Sequence, residues 1–116
     1  MTILLKRAYD PADPSDGFRI LVDRLWPRGV AKHSAGIDLW LKDIAPSTAL
    51  RQWFGHDPAK WDEFRARYFL ELRQNPVALA QLTAYVRQGV VTLVYGARDQ
   101  THNDAVALKE FLESAH

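Results

Sequence analysis

Apolar and polar positions alternate along this chain in blocks that read as short strands first and helices later. Ile3-Leu4-Leu5 is a brief apolar run that gives way to Asp10-Pro11-Ala12-Asp13-Pro14-Ser15-Asp16-Gly17. Proline fixes φ and aspartate bonds readily to nearby backbone, so a loop is expected there. Phe18-Arg19-Ile20-Leu21-Val22 is apolar and β-branched and closes on Asp23. A run of that length bounded by turn residues suits a strand covered on both faces. Trp26-Pro27-Arg28-Gly29 ends it, because proline lacks a donor and glycine marks a turn. Ile37, Leu39 and Leu41 alternate with Asp38, Trp40 and Lys42, a period of two that favours a strand over 37–42, with a short helix as the alternative.

Helical spacing dominates the middle of the chain. Ser47 is placed to cap Thr48–Phe54, and Asp57-Pro58 and Asn75-Pro76 each pair a capping residue with proline at the first helical position. After Pro58, Trp61, Phe64, Tyr68 and Leu72 form one stripe, with Asp62, Glu63, Arg65 and Arg73 away from it. After Pro76, Leu79, Leu82 and Val86 face inward, and Gly89 suits a left-handed helix end. Val90–Tyr95 is the strongest strand signal and breaks at Gly96. The last helix carries Ala105, Leu108 and Leu112 on one face, with Thr101 and Asp104 at capping-box spacing. This order predicts a single α/β domain over 1–116: a small, mostly parallel sheet of about four strands with helices packed on its faces.

Composition narrows the functional classes. At 116 residues, 47% hydrophobic and 25% charged, the chain is sized and composed for one globular domain. A formal charge of +1 gives no general attraction to nucleic acid or anionic membranes. The absence of cysteine excludes disulfides, thiolate nucleophiles and cysteine–zinc sites. The apolar run in Met1–Arg7 is too short for a signal peptide and no stretch is long enough to span a bilayer, so a cytoplasmic location and no membrane partner are expected.

Two strand ends concentrate polar groups, and ligands of open parallel sheets collect at the carboxyl ends of strands. Asp23-Arg24 with Arg28 offers guanidinium groups suited to a phosphate or carboxylate, with Asp23 as an orienting group or base. The structural alternative pairs Asp23 with one arginine while Trp26 packs beneath. Arg98-Asp99-Gln100-Thr101-His102-Asn103 feeds a helix N-terminus, where unpaired N–H groups favour anions. His102 is the candidate general acid or base there, with Asp99 fixing its tautomer and Arg98 and Asn103 as binding groups. The alternative is that Asp99 or Thr101 caps the helix and His102 faces water. A third group, Arg51, Trp53, Phe54, His56 and Asp57, reads first as a loop, a cap and core, with Arg51 and His56 as further substrate-binding candidates.

Sharper motifs are missing. There is no phosphate-binding Gly-Lys-Ser/Thr loop, no Gly-x-Gly-x-x-Gly after a strand and no serine in a nucleophile elbow. His33, His56, His102 and His116 lack the i, i+4 pairing of zinc proteases, and Asp99, His102 and Asp104 make only a weak metal signal. Neither a metal nor a cofactor is expected.

Asp23-Arg24-Leu25-Trp26-Pro27-Arg28-Gly29 and Leu41-Lys42-Asp43-Ile44-Ala45-Pro46-Ser47 resemble motifs of the YeaO-like branch of the domain of unknown function 488 family. Arg51-x-Trp53-Phe54-Gly55-His56-Asp57-Pro58, Trp61-x-x-Phe64-x-x-x-Tyr68-x-x-Glu71-Leu72 and Ala97-Arg98-Asp99 with His102-Asn103 extend the resemblance over nearly the whole chain. It implies the small α/β fold and marks Asp23, Arg24, Pro27, Arg28, Arg51, His56, Asp99, His102 and Asn103 as motif positions. It brings no activity with it. The wider family shows Cys-His-Arg near the last helix where this chain has Thr101-His102-Asn103, so chemistry through a thiol has no nucleophile here.

The first functional expectation is an enzyme, or an enzyme-like protein, binding a small anionic molecule through Arg24, Arg28, Arg51, His56, Arg98 and Asn103, with Asp23, Asp99 and His102 as catalytic candidates. The second is a non-catalytic module for nucleic acid or a protein. Arg65, Arg67 and Arg73 would track phosphates, against the acidic neighbours Asp62, Glu63 and Glu71. The plainest is a homodimer through surface aromatics.

Overall fold

The computed structural model describes residues 1–114, so His116 lies outside the described residues. Four strands, β1 (Ile3–Arg7), β2 (Phe18–Leu21), β3 (Leu39–Trp40) and β4 (Val91–Tyr95), form one sheet in the order β1-β4-β2-β3. All three ladders are parallel, with Leu5 opposite Leu93 and Leu93 opposite Ile20. Among the described residues α1 (Thr48–Phe54), α2 (Trp61–Arg73) and α3 (Pro76–Gln88) lie between β3 and β4 in the chain, and α4 (Asp104–Ser114) follows β4. None is long and apolar enough to cross a membrane.

Strand side chains alternate between two clusters. Ile20, Val22, Val91, Leu93 and Tyr95 join Phe54, Phe64, Leu72, Leu82 and Leu108 in the main core. Leu21, Val94 and Ala8 point the other way, beneath Trp26, Val30, Ile37 and Trp40. The helices therefore share one face, while the loop between β2 and β3 covers the other. Within α2, Phe64, Tyr68 and Leu72 are buried as their spacing predicts, and Trp61 is half-buried. Burying Phe64 and Leu72 contributes roughly 1.5–3 kcal/mol each. Tyr68 donates its hydroxyl to the Ile44 carbonyl at 2.6 Å, which satisfies a polar group inside the core. Glu71 accepts from the Ser47 N–H and hydroxyl at 2.8 and 2.6 Å, tying the start of α1 to α2.

Several local expectations are revised. Only Leu39 and Trp40 of the 37–42 segment form strand, because their partners Ile20 and Leu21 are the last residues of β2 and the chain then tightens into a 3-10 turn over Lys42–Ile44. Asn75 does not cap α3; its Nδ2 donates instead to the Asp43 carbonyl at 2.8 Å. Gly89 ends α3 in an extended rather than a left-handed conformation, at φ 160°. The Thr101–Asp104 box does not form either. Helix α4 starts at Asp104, and Asn103 Oδ1 accepts the Val106 N–H at 2.9 Å.

The parallel arrangement sends the loops after all four strands to one end of the sheet. On the face of the sheet away from the helices, Asp16, just before β2, pairs with Arg19 at 2.6 Å and with Lys6 at 3.2 Å. Arg19 is 3% exposed and also donates to the carbonyls of Gly36 and Ala35. That network anchors the loop entering β2.

Candidate functional site

A cavity of about 240 Å³ opens among the loops at the carboxyl ends of β2 and β4. Its lining includes Asp23, which follows β2, Gly96, which follows β4, and Asp104, the first residue of α4. The Asp23 Oδ2 accepts the Gly96 N–H at 2.8 Å, and its carbonyl accepts the Trp40 indole N–H at 2.8 Å. Both aspartates are half-buried.

The two carboxyl groups hydrogen-bond to each other. Burial raises Asp104 well above the ordinary carboxylate range, and the neighbouring charge of Asp23 and the bond to it push in the same direction. Burial raises Asp23 as well, opposed by its bonds to Asp104 and Gly96 and by the charges of His56 and Arg51. Two adjacent carboxylates in a low-dielectric site do not both ionise freely, so Asp104 keeps its proton and donates it to Asp23. The Tyr68 phenol beneath is pushed well above its ordinary value by burial and then by these same aspartates, and it stays neutral.

The walls are mainly apolar: Phe54, Phe64, Trp26 and Pro27, with Tyr9 bonded through its hydroxyl to the Arg28 carbonyl at 2.9 Å. At the mouth stand Arg51, from the last turn of α1, and His56, just after it. Gly55 and His56 are both left-handed, at φ 55° and 58°. A non-glycine residue held in that region is uncommon, and here it turns His56 back beside Phe54, with ring centroids 6.2 Å apart. Both side chains are exposed, and the Arg51 guanidinium makes no hydrogen bond or ion pair among the described residues.

Asp23, Arg24, Arg51, His56 and Asn103 thus line one cavity, and Arg28, Arg98, Asp99 and His102 do not. Arg24 spends donors on the Pro46 and Ala45 carbonyls at 3.2 Å each, so it fastens a loop. Asn103 is buried, capping α4 with Oδ1 and donating Nδ2 to the Asp99 carbonyl at 2.9 Å. Arg28 and Arg98 are exposed. The expected hollow shared by the Arg24–Arg28 pair and His102 is not formed. His102 lies in the turn before α4, with Nδ1 2.9 Å from Asp99 Oδ2 and 3.0 Å from Thr101 Oγ1 and its ring edge-on to Trp61 at 5.3 Å. Asp99 is lowered to about 2, first by the Thr101 N–H and also by the His102 side chain and N–H. It serves the turn.

Asp104 is the polar lining residue that reading the sequence assigned to a helix cap. The signal available was a second carboxyl at the start of a helix that follows a strand end. Among the described residues no group of three or more His, Asp or Glu side chains is arranged to hold a metal ion.

The family model described as the inactive DUF488-N3 subclade matches residues 2–116. The uncharacterized protein YeaO of Escherichia coli is 44% identical over 114 residues, covering 98% of this chain and 99% of that protein. The uncharacterized proteins Rv3073c of Mycobacterium tuberculosis and Mb3100c of Mycobacterium bovis are each 41% identical over 110 residues, covering 95% of this chain and 92% of theirs. No solved structure matches the chain significantly.

Proposed function

Since the chain belongs to the DUF488-N3i family, the inactive DUF488-N3 subclade, we propose that it is a non-catalytic binding protein for a small phosphate- or carboxylate-bearing molecule. The anionic group docks on Arg51 with His56 beside it, and the body of the molecule lies against Phe54, Phe64 and Trp26. One observation carries this reading: Arg51 is a cation without an internal partner at the mouth of a cavity whose walls are apolar. Small-molecule sites have that character, a mostly apolar hollow with a few convergent polar groups. At about 240 Å³ the cavity is smaller than the drug-sized range of roughly 300–1,000 Å³, which suits a compact ligand.

Two features favour binding without turnover. The subclade is described as inactive, and His102, the expected proton-transfer group, stands outside the lining. A nucleic-acid face on α2 is less well supported. Arg65 is engaged by Glu110 and Asp62, and Arg67 pairs with Glu63, so phosphates would compete with carboxylates already in place.

Calorimetry with a panel of sugar phosphates, nucleotides and small carboxylates tests the proposal, with each ligand recovered and checked by mass spectrometry. Binding in the micromolar range, weakened about tenfold or more by Arg51→Ala, is expected. No ligand tighter than millimolar, or no effect of the substitution, overturns the proposal; chemical conversion of the ligand overturns its non-catalytic part.

A further inference from the structure

The mouth and the floor of the cavity carry opposite requirements. Arg51 and His56 at the mouth favour an anion, whereas Asp23 and Asp104 at the floor present acceptor oxygens and negative charge. An anion that fills the cavity end to end would meet the carboxyl pair directly. We propose that the ligand is a zwitterion, with its anionic group on Arg51 and a protonated nitrogen, ammonium or amidinium, seated between the carboxyl groups of Asp23 and Asp104. The inference rests on the binding reading above and names the ligand class of that same site.

Three observations converge on it. Asp23, just after β2, and Asp104, at the start of α4, meet at the cavity, where an incoming N–H can replace the proton that now bridges them. The lining aromatics Phe54, Phe64, Trp26 and Tyr9 present ring surface, which attracts cations through the ring quadrupole. The free cation at the mouth and the carboxyl pair at the floor suit a molecule with opposite charges at its two ends.

Charge balance then makes a specific demand. Without ligand, the pair shares one proton and carries a single negative charge. A bound cation favours ionisation of both carboxyl groups, so that proton leaves to solvent as the ligand enters. The groups facing the pair are Arg51 and His56 from α1 and its end, Arg24 after β2, Tyr68 on α2, the Gly96 N–H after β4 and the Ala105 N–H in α4. Arg24 is held by carbonyls and Tyr68 stays neutral. The carboxyl pair is therefore the group whose proton the ligand displaces.

Matched probes with the two charges apart test this: 6-aminohexanoate against hexanoate, and glucosamine 6-phosphate against glucose 6-phosphate. Each is titrated at neutral pH in two buffers of different ionisation enthalpy. The aminated member of a pair is expected to bind about tenfold or more tightly and to release about one proton per molecule bound. Asp104→Asn should remove most of that preference and the proton release. The proton count on the unaltered protein does not depend on that variant folding. Equal binding of aminated and deaminated members, or binding with no proton released, overturns the zwitterion assignment and leaves the anion-binding proposal standing. Failure of both members of every pair to bind overturns both proposals.

Discussion

The Asp23 carboxylate accepts the backbone N–H of Gly96 at 2.8 Å, joining the end of β2 to the end of β4. That bond fixes one carboxyl group at the cavity floor, and the start of α4 brings Asp104 against it. Because both groups are raised above the ordinary value of 3.8, the folded chain holds a proton that the unfolded chain gives up.

Stability should therefore fall as pH rises from near 4 through the raised values of the pair, since the native state binds more protons across that window. Asp104→Asn removes the acid that carries the largest shift. Its melting temperature should exceed that of the parent by about 4 °C or more at pH 7.5, with the gain shrinking as pH is lowered toward 4. Thermal melts across this range check the expectation; an equal or lower melting temperature at pH 7.5 would contradict it. Asp99 acts with the opposite sign. Held near 2 by the Thr101 N–H and its neighbours, it contributes stability above the unfolded value, and that contribution is lost as pH falls from about 4 to about 2.

On the loop-covered face of the sheet, the buried Asp16–Arg19 pair predicts strong coupling. Removing one partner strands the other charge. Asp16→Ala should cost about 3 kcal/mol in denaturant unfolding, and adding Arg19→Met should recover much of that loss. Simple additivity of the two substitutions would show that the pair does not act as a unit.

Gly17 and Gly29 separate contact from backbone strain. Both have positive φ, 65° and 76°. A Cβ at Gly17 would lie 2.2 Å from the Val90 carbonyl oxygen, whereas one at Gly29 meets nothing within 4 Å. Gly29→Ala should cost about 1 kcal/mol from the left-handed backbone. Gly17→Ala should cost at least about 2 kcal/mol more, because Val90 accepts the Phe18 N–H as β2 enters the sheet. Equal losses in the two variants would show that the close approach at Gly17 relaxes freely.

The elements legible in the sequence are those defined by their own side chains. β4 is apolar and β-branched apart from the Thr92 hydroxyl, and the α2 stripe repeats at helical spacing, so local pattern suffices for both. Position 37–42 misleads because its alternation continues past the end of the only strand available to pair with it. The site is harder to read for a related reason. His102 attracts attention as an imidazole near a helix start, but Asn103 takes the N-cap position and leaves His102 in the preceding turn with Asp99. Asp104 looks like a cap residue until β2 and β4 are set side by side, and only then does Asp23 become its neighbour. Arg51 and His56 belong to a loop and helix end whose path depends on two successive left-handed residues.

The strand order has a consequence for how the chain emerges from the ribosome. β4 separates β1 from β2 in the sheet, yet it is made after the other three described strands. A nascent chain ending at Gly89 holds only the short β2–β3 ladder, and β1 has no strand beside it. Ile20, Val22 and the apolar stripe of α2 must therefore wait without the β4 wall of their core until Val91–Tyr95 has been made. Long-range pairing of this kind delays closure, so the interval before β4 emerges is when exposed apolar surface most needs protection from other chains.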